Sequence, residues 1–158
     1  MSLLDTDQKL VGIIKKLGDR PEPPITKMVS EAITILQQVA SPKPRSADIL
    51  AARARLSDGR TKLIVLKLTI IAEESLIRGV LTDTETYLQA KFLSFLNSVK
   101  NQGGRVALIS QAVLPIARRL RRLESARERI EEVVKDYDSR AYAIRDTIEA
   151  LKLGERES

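Results

Sequence analysis

The chain contains no cysteine and no histidine. Those two absences exclude disulfides, zinc sites of the usual Cys/His kinds, Cys or His nucleophiles and His-based acid–base catalysis. A di-iron bundle built on Glu-x-x-His is excluded with them. Aromatic residues make up only 3% of the chain, so a core has to be assembled from Leu, Ile, Val and Ala. That composition favours helices over a β-sandwich, where aromatic and β-branched side chains dominate. Long apolar runs are also missing. The longest, "LIVLKLTIIA" at 63–72, contains Lys67 and falls far short of a membrane-spanning helix. The opening "MSLLDTDQKL" lacks a basic segment followed by an apolar one, so no signal peptide is expected and the reading is of a cytoplasmic protein. A Gly-rich phosphate loop is absent as well. "NQGGR" at 101–105 has no Lys-Ser/Thr and follows no strand. No enzyme, cofactor or metal site is expected.

What is present is a soluble globular balance: 158 residues, 43% apolar and 30% charged, with a net charge of +6 that permits an acidic partner. "DTDQKLVGIIKKLG" places Leu10, Ile13, Ile14 and Leu17 on one face, with Asp5 or Thr6 as the cap and Gly18 as a left-handed exit. After "DRPEPP", a second helix over 25–40 carries Met28, Ala32, Leu36 and Val39 on one stripe, with Val29, Ile33 and Ala40 beside it. "SPKPRS" reads as a Pro-bounded connector, with Ser46 capping a short helix over 47–56 that Asp58-Gly59 ends. Residues 61–80 are the most apolar. No second strand exists to pair with them, so they read as a central buried helix whose one wet stripe is Lys67, Glu74 and Arg78. Thr82 and Glu85 have the spacing of a capping box for a helix with Leu88, Phe92, Phe95, Leu96 and Val99 inward.

The strongest pattern lies beyond "NQGG". An a/d heptad series runs Val106, Ile109, Val113, Ile116, Leu120, Leu123, Arg127, Ile130, Val134, Tyr137, Ala141, Ile144, Ile148 and Leu151, apolar everywhere but at Arg127. Such a helix is about 55 Å long from Pro115 to Leu151 at about 1.5 Å per residue. Part of it is expected to project from its bundle. The heptad passes through Pro115 without a shift, which predicts a kink near that residue. Arg127 on the seam marks either a register-setting residue or the point where the seam reaches water.

Away from the seam stand Arg118, Arg119, Arg121, Arg122 and Arg129. From 115 to 129 there are six arginines against two glutamates, and several arginines are like-charge neighbours one turn apart. The plain reading is a solvated face whose long apolar stems cover the helix. The functional one is an anion-binding or partner-binding face. It lacks the interleaved aromatics and motifs of nucleic-acid modules, so it would touch phosphates without reading bases. Glu73-Glu74 and Glu131-Glu132 point about 100° apart on a helix and do not converge.

The expectation is therefore an all-α chain: a short-helix bundle over 1–104, a long heptad-patterned, coiled-coil-like helix over 105–152, and a polar tail over 153–158. The function expected is non-enzymatic interaction or self-assembly, as a subunit of a filament, shell or scaffold. Val113, Ile116, Leu120, Leu123, Ile130, Val134, Tyr137, Ile144, Ile148 and Leu151 form the seam that would join a second copy or a helical partner. The alternatives are a nucleic-acid-binding protein gripping phosphates through the Arg118–Arg129 face and a peripheral adaptor on an anionic membrane.

Overall fold

The computed structural model describes residues 3–39 and 46–154. Residues 41–45 of the connector read over 41–46 and the end of the tail, 155–158, lie outside the described residues, as do Ala40 and the Ser46 side chain. Among the described residues there are six helices and no strand: α1 (Gln8–Gly18), α2 (Ile25–Val39), α3 (Ser46–Lys91), α4 (Leu93–Ser98), α5 (Gln102–Ala112) and α6 (Leu114–Gly154). The fold is all-α with a long C-terminal helix, as the heptad pattern implies.

The chain divides into two compact units. One comprises Met1–Glu22 and Ile71–Ser125, the other Pro23–Ile70 and Ala126–Ser158. α3 and α6 each contribute a segment to both units. The α1 unit buries Leu10 and Leu17 with Ile77 and Leu88 of α3, and Ile116, Leu120 and Leu123 of α6. In the α2 unit, Val29 and Ala32 are buried with Leu56, Leu63, Leu66 and Ile70 of α3 and Ile130, Tyr137 and Ile144 of α6. Each such aliphatic side chain taken fully out of water contributes about 1.5–3 kcal/mol.

Local details correct several expectations. Asp7, rather than Asp5 or Thr6, caps α1: its Oδ1 accepts the Leu10 N–H at 2.9 Å. Gly18 remains helical, and no glycine has a positive φ among the described residues, so α1 does not leave through a left-handed residue. Asp58-Gly59 ends nothing. One helix of 46 residues runs from Ser46 to Lys91, through Gly59 and through the expected Thr82–Glu85 cap. The Thr82 hydroxyl donates back to the Arg78 carbonyl at 3.1 Å, as a threonine inside a helix does. Phe92 stands between α3 and α4, and only Leu88 and Leu96 of the five residues expected inward there are fully buried.

The interruption expected near Pro115 is present, as a one-residue break at Val113 rather than a bend within a continuous helix. Val113 donates to the Ile109 carbonyl at 3.0 Å and closes α5. Its own carbonyl accepts from Ile116 and Ala117, at 3.0 and 3.1 Å, and opens α6. Pro115 thus occupies the first turn of α6, where its missing N–H leaves no hydrogen bond unmade.

Candidate interaction surfaces

The five arginines singled out above separate into distinct roles. Arg119 is only 5% exposed. Its guanidinium donates to the Leu17 carbonyl and, at 3.4 Å each, to the Arg20 carbonyl and Glu73 Oε1. It therefore neutralises the last carbonyls of α1, where the helix dipole is negative, instead of facing a ligand. This corrects its placement on the outer face. Arg119 directly precedes the seam residue Leu120, at the heptad g position that borders the seam, and α1 packs over that border. Arg122 is exposed and meets Glu22 at 3.0 Å, a pair open enough to solvent to contribute little. Arg118 and Arg121 are exposed, and neither has an ion-pair partner among the described residues. Arg129, in the α2 unit, is exposed and lines a groove between α2 and α6.

The heptad seam is largely core. Val113, Ile116, Leu120, Leu123, Ile130, Tyr137 and Ile144 are buried within the chain, each inside its own unit. Val134 and Ile148 are half-buried, and Leu151 is exposed. Val133, one position off the series, is buried in place of Val134. Tyr137 shows how closely the seam is fitted: its hydroxyl donates to the Ala32 carbonyl at 2.9 Å. Burial pushes that hydroxyl's pKa up. Arg127 is half-buried one turn from Glu131, with Nη1 at 3.4 Å from Oε1. Lys67 of α3 reaches the same carboxylate at 3.0 Å. The Lys67 hydrogen bond outweighs partial burial and holds the Glu131 carboxyl below its ordinary range.

The expected wet stripe of the 61–80 segment is overturned. Glu74 is buried, Lys67 is half-buried against Glu131, and only Arg78 is well exposed, 2.8 Å from Glu124. What faces solvent instead is apolar. Within the α2 unit, Leu50, Val65 and Leu68 are 61%, 58% and 60% exposed, and Ala54 and Thr61 share their line along α3. Within the α1 unit, Ile71, Ala72 and Leu76 of α3 are exposed too. A helix apolar all round is ordinarily buried all round. The signal was available in the sequence, since residues 61–80 carry apolar side chains on every face. Periodicity alone does not say which of those faces meets the core.

One polar cluster is fully internal to the α1 unit. The Asp7 carboxylate accepts from Lys91 Nζ at 2.5 Å, from the Tyr87 hydroxyl at 3.2 Å and from the Leu10 N–H. Burial pushes the Asp7 carboxyl up, but these donors prevail and hold it below its ordinary value, while Lys91 is raised to about 12. Every Asp7 oxygen is satisfied, so the cluster ties α1 to α3 and offers no open base. No group of three or more acidic residues that would hold a metal ion occurs among the described residues. No described helix is long and apolar enough to cross a membrane. Comparison with family models, with curated proteins and with solved structures gave no match.

Proposed function

We propose that this chain is a non-enzymatic, cytoplasmic interaction protein that assembles with copies of itself or with a helical partner. The observation that supports the reading is the outward side of α3 in the α2 unit, where Leu50, Val65 and Leu68 stand mostly in water on one line. Isolated exposed leucines are common on soluble proteins. An aligned row opposite an apolar core face is not, and covering it by another molecule is favourable at about 25 cal/mol per Å2 of apolar surface. The seam of α6 supports assembly indirectly, by holding that helix rigid while its other side faces solvent.

Sedimentation at two salt concentrations tests the reading. The wild-type chain is expected to be larger than a monomer, and Val65→Asp/Leu68→Asp to reduce its mass while leaving the helical signal and thermal midpoint nearly unchanged. A wild-type chain that stays monomeric at every concentration and salt, and that no helical partner retains, overturns it.

A second reading, phosphate contact by the arginine face, draws on the exposure of Arg118 and Arg121. Arg119 contributes nothing to it, being engaged with α1. Under that reading the chain retards DNA or RNA with an affinity falling steeply in salt, and Arg118→Glu/Arg122→Glu abolishes the shift. Binding of the same face to anionic vesicles instead would favour the membrane-adaptor reading.

A further inference from the structure

In the α2 unit, α2 and α6 leave between them an open groove of about 750 Å3. Ile33 and Leu36 of α2 and Val133 and Ala143 of α6 give it an apolar floor. Along its α6 lip stand Arg129, Glu132, Asp136 and Arg140, spaced by three, four and four residues and therefore on one line of the helix. None of these four has an ion-pair partner among the described residues. Two other charges of the segment are engaged within the chain: Asp138, on the opposite side of α6, is gripped by Arg60 through two guanidinium nitrogens, and Glu131 by Lys67. A lip carrying unpaired charges of both signs over an apolar floor calls for an occupant that carries both signs too.

We propose that the occupant is α6 of a second copy of this chain, lying antiparallel to the first about a two-fold axis near residue 138. The inference rests on the self-assembly reading above and names the partner and register for it. In such a pair, facing residues have numbers of constant sum, so each position of the axis makes a definite set of contacts. An axis near 134 sets Arg129 against the partner's Arg140, which is repulsive. An axis at 136 sets Asp136 against itself, and one near 132 brings the two copies of Glu132 together. With the axis near 138, Asp136 faces the partner's Arg140 and Arg140 faces the partner's Asp136. Val133 then lies opposite the partner's Ala143, and Arg129 faces the partner's Thr147. This register sets no two like charges of the line against each other. Ser139 and Ala143, small residues one turn apart at its centre, allow the helices to approach closely, towards the lower end of the usual interaxial range of about 8–10 Å. Facing helices also cover Ile33 and Leu36, which are half-buried in the single chain.

The full-length chain, which has no cysteine, allows a direct test. Ser139→Cys is expected to form a covalent homodimer on mild oxidation, while Asp83→Cys, exposed in the other unit, does not. Asp136→Arg and Arg140→Asp are each expected to weaken the dimer about tenfold, since each places like charges across the axis twice. Combining the two reverses the polarity of both pairs and restores the wild-type dissociation constant. Circular dichroism of each variant checks that the helices are intact. An assembly that persists with no Ser139→Cys cross-link and no response to the charge swaps overturns the groove interface and leaves assembly through α3 standing. An assembly reduced by Val65→Asp/Leu68→Asp but still cross-linked at Ser139→Cys supports both surfaces. A wild-type chain that is monomeric throughout overturns the groove interface and self-assembly through α3 alike.

Discussion

The ring of Tyr137 occupies the space in which a β-carbon on Gly59 would stand. An ideal Cβ at Gly59 lies 2.6 Å from the Tyr137 hydroxyl oxygen and 2.7 Å from ring carbon Cε1. Glycine in the middle of α3 is thus a packing residue: it forfeits helix propensity so that the one buried tyrosine of the α2 unit can lie against the helix backbone. Gly59→Ala, which in an open helix would stabilise, is expected to destabilise by about 1–3 kcal/mol in chemical denaturation. Gly79→Ala on the same helix meets nothing within 4 Å and is expected to raise stability by up to about 1 kcal/mol. Equal effects at the two glycines would show that the close approach is not real.

The same contact predicts coupling. Tyr137→Phe loses the hydrogen bond to the buried Ala32 carbonyl and should cost about 1 kcal/mol. It removes the nearest obstructing atom but leaves the ring carbons Cε1 and Cζ, at 2.7 and 2.9 Å, so it relieves Gly59→Ala only in part. Tyr137→Leu removes the obstructing atoms, so Gly59→Ala in that background should cost less than it does alone. A double-mutant cycle that comes out additive would contradict this.

Arg119 is expected to differ from its neighbours in the cluster. Arg119→Met removes the donors to the Leu17 and Arg20 carbonyls and one partner of Glu73, and should cost about 2–3 kcal/mol. Arg118→Ala and Arg121→Ala, exposed and without ion pairs among the described residues, should stay within about 0.5 kcal/mol of wild type. Thermal melts of the three variants decide the matter.

Asp7 and Lys91 give the fold a definite pH dependence. The folded Asp7 carboxyl lies below its ordinary 3.8, so between those values the unfolded chain binds more protons. Its contribution is complete above pH 3.8 and is lost as pH falls through the lowered value. Lys91 is raised from 10.5 to about 12, so its contribution is complete below pH 10.5 and is lost as pH climbs towards 12. Lys9 over the Tyr87 ring, 4.1 Å from its centroid, adds a further positive charge to this corner. Asp7→Asn keeps an acceptor for the Leu10 N–H but loses the charge. It should flatten the acid limb of the stability curve, as read by urea denaturation at stepped pH. An unchanged acid limb would count against the cluster.

Much of the architecture was legible because helical periodicity is a local property. The seam from Val113 to Ile144 reads directly as an apolar stripe, and the long terminal helix follows from its length. What was not legible depended on partners distant in sequence. Asp58-Gly59 has the composition of a helix stop, and only Tyr137 reveals why the helix passes through it. Arg119 sits beside the seam at a position equally compatible with water and with a neighbouring helix, and the presence of α1 decides between them. The α3 segment carried apolar residues in every direction, so its covered and open sides were set by packing and not by pattern. Of the candidate surfaces, the arginine cluster was visible as composition. The groove beside Asp136 and Arg140 needed α2 in place before it existed.

The two ends of α1 are fastened by charged side chains, the Asp7–Lys91 ion pair at the start and the Arg119 guanidinium donating to the Leu17 and Arg20 carbonyls at the finish. Between them only Leu10 and Leu17 are fully buried. Such an element opens as a piece when these fastenings loosen. Amide hydrogens along α1 should therefore keep their own clock, exchanging faster as salt is added or the acid limb is approached, while those of α3 beneath it hold steady.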